Sequence, residues 1–308
     1  MQIYLPIAEM PVSVFLIFGM AAAVGFVSGL FGVGGGFLMT PLLIFTGIPH
    51  SVAVATVTAQ IAASSTSGAL TYWRKKALDV PLGLTLIAGG LMGTFAGVLF
   101  FNRMRILGQL ELTITISYVT LLGAVGGLML IESLRAIWRK RMGRVSPVRR
   151  AARHTWYERL PLRARYYRSG IYISVLPLLA LSMFIGFAGT VLGIGGGFMV
   201  VPALIYFFNV PAAIVVGTSL FQILVTMLAA ALLHAVTNHQ VDIVLALILI
   251  VGGALGAQLG SRAGENLKGE RFRLLFALII FSVALRFLFE IGFKPAEAFS
   301  IAPVEARR

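Results

Sequence analysis

Gly25-Phe-Val-Ser-Gly-Leu-Phe-Gly-Val-Gly-Gly-Gly-Phe-Leu-Met-Thr-Pro41 returns 161 residues later, without a gap, as Gly186-Phe-Ala-Gly-Thr-Val-Leu-Gly-Ile-Gly-Gly-Gly-Phe-Met-Val-Val-Pro202. One inserted residue further on, Pro49 meets Pro211, Thr56 meets Thr218 and Gln60 meets Gln222. After one more, Asp79 meets Asp242, Gly89-Gly90 meets Gly252-Gly253, Gly93 meets Gly256 and Gly97 meets Gly260. A series that long at one period is an internal duplication.

The surroundings of the repeat are apolar. Of the 308 residues 58% are hydrophobic and 12% charged, against roughly 25% charged in a soluble domain. The apolar residues fall into segments at 12–31, 33–47, 51–72, 80–101 and 112–133, then 171–192, 194–208, 212–236, 243–262 and 272–291. Most have the length needed to cross about 30 Å of hydrocarbon at about 1.5 Å per residue. All ten read as helices of a membrane protein. The first apolar segment has no basic residue before it, the first being Arg74, so it reads as a span and not as a secretory signal. The second segment of each set is short and begins at Gly32-Val-Gly-Gly-Gly36 or Gly193-Ile-Gly-Gly-Gly197. Segments one and two are therefore read as one helix broken or folded back at the glycines.

The net charge of +14 is local. Residues 135–168 hold 12 of the 25 basic residues and one acid, Glu158. A basic loop between hydrophobic blocks reads as cytoplasmic and in contact with anionic headgroups. Trp156, Tyr157, Tyr166 and Tyr167 are interleaved with those bases, the pattern a nucleic-acid or partner surface would also show, but the membrane context favours lipid. Arg74-Lys75-Lys76 follows the third segment of the first half, whereas its counterpart Thr237-Asn238-His239-Gln240 carries no formal charge. The bases of the second half come one loop later, at Arg262, Lys268, Arg271 and Arg273. With basic loops inside, the halves run in opposite orientations and both termini lie outside. A lone re-entrant loop beside a full first span would reverse the N-terminus.

The expected fold is thus an all-α integral membrane protein of two inverted repeats, each with about five hydrophobic helical segments including the short helix after the glycine motif. Residues 1–134 form the first repeat, 135–169 a basic cytoplasmic linker and 170–308 the second repeat. Inverted repeats with interrupted helices are the architecture of secondary transporters, with substrate near the midplane where the breaks meet. A helix starting inside the membrane offers free N–H groups and a positive dipole end, which favours an anion.

The glycine runs fit neither nucleotide motif, since Phe37 replaces the last dinucleotide-site glycine and no Gly-Lys-Ser/Thr follows. Gly89, Gly93 and Gly97, with Gly252, Gly256 and Gly260, have the spacing of close helix packing. The proposed substrate site contains Gly34, Gly35, Gly36, Gly195, Gly196 and Gly197 as backbone donors, with Thr56, Gln60, Thr218 and Gln222 as side-chain donors. The hydroxyl-rich third segments also suit ordinary interhelical or same-helix hydrogen bonding. Asp79 and Asp242 head their segments and read as helix caps; Arg286 and Glu290 read as a pair four residues apart; His234 reads as a packed or interfacial histidine. The absence of cysteine excludes disulfides and thiolate chemistry, and the scattered histidines suggest no metal site. No cofactor and no enzyme activity are expected.

Gly29-Leu-Phe-Gly-Val-Gly-Gly-Gly-Phe-Leu-Met-Thr-Pro41 and its copy through Pro202, followed by Pro211, Gly217-Thr218-Ser219 and Gln222, resemble the sulfite exporter TauE/SafE family of membrane permeases. The resemblance covers both halves. It implies export of small sulfur-containing anions, such as sulfite or organosulfonates, across a bacterial inner membrane. A passive anion channel, or a permease for a different small anion such as a carboxylate, would use the same positive helix ends.

Overall fold

Lipid offers no partner to backbone N–H and C=O groups, so each apolar segment closes its hydrogen bonds within itself as a helix. The computed structural model describes residues 2–31, 36–141, 161–208, 210–264 and 270–293. The first half contains α1 (Val14–Phe31), α2 (Gly36–Phe45), α3 (His50–Arg74), α4 (Val80–Ile106) and α5 (Leu110–Arg141). The second contains α6 (Val175–Leu192), α7 (Gly197–Tyr206), α8 (Ala212–Leu233), α9 (Ile243–Gly264) and α10 (Glu270–Phe293). Among the described residues five helices are long and apolar enough to cross a membrane, within α4, α5, α6, α8 with its extension, and α9. The protein is a multi-pass integral membrane protein. Helices α2 and α7 have 10 residues each, about 15 Å, which is half a hydrocarbon thickness.

Two elements lie outside the helical expectation. β1 (Gln2–Leu5) pairs with β2 (Met10–Ser13) directly before α1, and β3 (Arg163–Tyr166) pairs with β4 (Ile171–Ser174) directly before α6. The registers Gln2↔Ser13 and Arg163↔Ser174 are again 161 residues apart, and so are the left-handed residues Glu9 (φ 53°) and Gly170 (φ 65°) at the two turns. The residues at 12–13 and 171–174, read from hydropathy as the first turn of a span, are therefore strands. Short apolar runs look alike in either state. Strand β3 falls within the stretch assigned to the linker, and α5 continues to Arg141; residues 142–160 lie outside the described part.

Helices pair mainly across the halves: α1 packs on α9, α4 on α6, α3 on α8 and α5 on α10. Exchanging α1–α5 for α6–α10 returns the same pairs. The glycine ladders are the reason. A methyl group on Gly25 would run into the Gly253 carbonyl, and one on Gly186 into the Gly90 carbonyl, so the backbones cross in direct contact at equivalent points. Gly93 faces the Met183 carbonyl in the same way, and Gly256 the Ala22 carbonyl, which gives these glycines the packing role that their spacing implied.

The ends of α4 fix the arrangement of the loops. Near its start, Arg168 Nη1 donates to the Leu78 carbonyl at 2.8 Å. Near its finish, Arg105 Nη1 donates to the Asn238 carbonyl at 2.9 Å. The loop carrying Lys75 and Lys76 and the loop at 238–242 thus lie at opposite ends of a 27-residue helix.

Candidate functional site

The glycine breaks meet. In the second half α6 ends at Gly193 (φ 66°), and Gly195 (φ 76°) and Gly196 (φ 72°) turn the chain into α7 through the left-handed region that only glycine enters without strain. Space imposes the same choice, since a methyl on Gly195 would lie 2.8 Å from Ile61 Cγ2 and one on Gly196 would strike Ile185. Gly36, the first residue of α2, faces Gly193, and a methyl there would lie 2.9 Å from its carbonyl oxygen. Phe37 and Phe198, equivalent in the repeat, sit with ring centroids 5.6 Å apart. Gly197 is buried at the start of α7. Gly34 and Gly35, expected in the site, lie outside the described residues.

Breaking a helix frees its last carbonyls. Those of α6 are met by side chains from three other elements. Thr40 Oγ1 donates to Gly193 O at 3.1 Å, Tyr118 Oη to Leu192 O at 2.5 Å and His234 Nε2 to Thr190 O at 3.3 Å. With Nε2 as donor, His234 Nδ1 accepts from Asn238 Nδ2 at 2.9 Å, and the ring meets Phe101 edge-on at 4.7 Å. His234 is packed, in a π-helical turn (His234–Asn238) that extends α8. Thr40 and Tyr118 did not stand out in the sequence, although Thr40 lies inside the first glycine motif and Tyr118 is the one tyrosine of α5.

The remaining expected site residues divide into two kinds. Thr56 Oγ1 accepts from the Asp242 backbone N–H and Thr218 Oγ1 from that of Asp79, both at 3.1 Å. Each threonine therefore holds the start of a helix of the other half. Each aspartate caps its own helix, Asp79 Oδ1 accepting from Leu82 N at 3.3 Å and Asp242 Oδ1 from Leu245 N at 3.0 Å. Their second oxygens hold the hairpins: Asp242 Oδ2 accepts from Ile7 N at 3.0 Å, and Asp79 Oδ2 from Ser169 N at 2.9 Å and Ser169 Oγ at 2.7 Å. Beside that latch Tyr166 bonds Thr85 at 3.2 Å. Burial holds its phenol above the ordinary value, the Thr85 bond opposes this, and the Asp79 charge adds to the rise.

Gln60 and Gln222 are of the second kind. Both are buried, and the Oε1 of each has no partner among the described residues. Gln60 lies on Gly253 of α9 and Gln222 on Gly90 of α4, where an added methyl would be 2.8 Å and 3.3 Å from the respective Nε2. They occupy two equivalent junctions, α1–α9–α3 and α6–α4–α8. Arg286, expected to pair with Glu290, has its guanidinium 5.3 Å from the Phe45 ring centroid; the Glu290 side chain lies outside the described part.

Comparison with known proteins bears on what such an arrangement does. The chain is 27% identical over 279 residues to "Probable membrane transporter protein YjnA" of Bacillus subtilis, covering 91% of this chain and 100% of that protein. It is 29% identical over 284 residues to a "Probable membrane transporter protein" of Xylella fastidiosa, covering 89% and 94%. "Sulfite exporter TauE/SafE family protein 3" of Arabidopsis thaliana is 36% identical over 87 residues, 28% of this chain and 18% of that one. No solved structure is significantly similar. The family described as Sulfite exporter TauE/SafE matches residues 17–287, a span that takes in both glycine breaks and both buried glutamines, and the chain belongs to this family of membrane transporters.

Proposed function

We propose that the protein exports a small oxyanion, of the class of sulfite and organosulfonates, across a bacterial inner membrane by alternating access between two inverted halves. The observation that carries the reading is the approach of the two short-helix starts, with the Phe37 ring of α2 and the Phe198 ring of α7 lying 5.6 Å apart and Gly36 beside the Gly193 break, in a bundle whose helices pair across the halves. Two short helices then begin at one place, and their N-terminal dipoles favour an anion without a full cationic charge. Backbone donors at Gly34, Gly35, Gly36, Gly195, Gly196 and Gly197 approach the ligand, and Gln60 and Gln222 offer amides at the flanking junctions. Thr56 and Thr218 serve the site through the helix starts they hold. The opposite placement of the loops at 75–79 and 238–242 supports the inverted orientation, and the linker at 135–169 is taken to rest on anionic headgroups.

Alternating access is tested by counterflow. Protein reconstituted in vesicles preloaded with sulfite should take up labelled sulfite transiently against its gradient, with saturable kinetics. Flux that never saturates and never drives counterflow would identify a channel and overturn the mechanism. Counterflow with acetate and none with sulfite or methanesulfonate would overturn the substrate class.

A further inference from the structure

The two glutamine junctions are not equivalent. Thr94, on α4, is fully buried, and its hydroxyl has no partner among the described residues. Hydroxyls in apolar helices ordinarily bond the carbonyl three or four residues back. Thr58, Ser64, Thr66, Ser182, Thr190 and Thr226 all do so here. For Thr94 the carbonyl four back is that of Gly90, against which Gly186 of α6 is pressed. Gly90 is also the residue on which Gln222 lies. Thr94 lies one turn, about 6 Å of helix rise, beyond the glycine under the Gln222 amide, so the two share one junction, and each has an oxygen without a partner among the described residues. In the register that pairs Gly93 with Gly256 and Gly97 with Gly260, Thr94 falls on Ala257, so Gln60 has no such hydroxyl beside it. Two unmet buried groups at one point are costly unless something meets them.

We infer that the α4–α6–α8 junction, closed here by the Gly90–Gly186 contact, is the anion-coordinating side of the substrate site once the halves part, and that it selects a singly protonated oxyanion. This rests on the exporter reading above. An amide oxygen accepts and cannot donate, so an oxyanion that meets Gln222 Oε1 must still carry a hydroxyl. The Thr94 hydroxyl donates to the ligand's ionised oxygen. Hydroxyl-bearing hydrogensulfite meets both demands, whereas the sulfite dianion and methanesulfonate lack the donor. The Gln60 Oε1 is also unmet, but with Ala257 in place of the threonine its junction offers the amide alone.

Calorimetric titration of the purified, detergent-solubilised full chain tests this with two probes. Sulfite should bind the unaltered protein about tenfold more tightly at a pH where the singly protonated form prevails than one unit above its second ionisation, and methanesulfonate should bind weakly at both. Thr94→Val, which keeps the shape and removes the hydroxyl, should weaken sulfite binding by about tenfold, with Thr94→Ser restoring it. Affinity that rises with pH, methanesulfonate binding equal to that of sulfite, or a folded Thr94→Val protein with unchanged affinity would each overturn the inference while leaving the exporter reading standing. If Thr94→Val does not fold, the pH dependence and the methanesulfonate comparison on the unaltered protein decide the matter. Failure of the unaltered protein to bind any small oxyanion would overturn both readings.

Discussion

Asp79 and Asp242 perform the same tasks in opposite halves, but with different numbers of bonds. The Asp79 carboxylate accepts from Leu82 N, Ser169 N and Ser169 Oγ, and Asp242 accepts from Leu245 N and Ile7 N. Arg168 adds bonds to the Lys76 and Leu78 carbonyls beside the first latch. Bonds to a charged acceptor contribute more than neutral ones, and a lost cap alone costs about 1 kcal/mol. Asp79→Ala should therefore destabilise the protein by about 2–3 kcal/mol and Asp242→Ala by about 1–2 kcal/mol, read as melting temperatures of the purified proteins in one detergent. The reverse order would contradict the bond assignment. The capping role was legible at Asp79 and Asp242 because a carboxylate ahead of an apolar run has few other uses. The latch was not, since Ile7 and Ser169 lie 235 and 90 residues away from their partners.

Elements in this molecule are placed by what their glycines touch. Gly93 and Gly186 face backbone across a helix crossing, while Gly19, Gly123 and Gly127 have open space where a side chain would project. Gly93→Ala or Gly186→Ala must push two backbones apart and should cost about 3 kcal/mol or more, because overpacked contacts cannot relax by moving a side chain. Gly123→Ala should remain within about 1 kcal/mol of the parent and favour the helix if anything. Thermal unfolding of the purified variants separates the two groups, and equal tolerance at Gly93 and Gly123 would remove the crossing geometry. Spacing marked the ladder glycines for packing. It could not choose between a partner helix in the same half and one in the other, because both offer small-residue faces.

At the scale of the whole molecule the duplication predicts topology. The chain has no cysteine, so Lys75→Cys and Thr237→Cys, at exposed equivalent positions, can be labelled one at a time in intact cells. With basic loops inside, position 75 should react with an impermeant maleimide only after the membrane is opened, and position 237 before it. Reaction of both from one side would contradict the inverted arrangement and remove the common meeting point of the two helix starts. The unequal charge of the two loops supports this outcome, since Arg74, Lys75 and Lys76 have no charged equivalents at 237–240.

What the sequence determined by itself was the membrane class, the two-fold repeat, the helix breaks and the caps, because each depends on composition or on neighbours a few residues away. Hydropathy, glycine runs and a carboxylate at a helix head act locally. Tertiary structure alone decided that α1 packs on α9 and α4 on α6, that Thr56 and Thr218 hold the opposite half's helix starts, and that Thr40, Tyr118 and His234 meet the carbonyls freed at Gly193. It also decided that the buried Thr94 hydroxyl has no partner among the described residues and that the Gly90 carbonyl, four residues back, is pressed by Gly186 of the other half. Such pairings join residues far apart in the chain, and the apolar stripe that draws two helices together carries no label naming its partner.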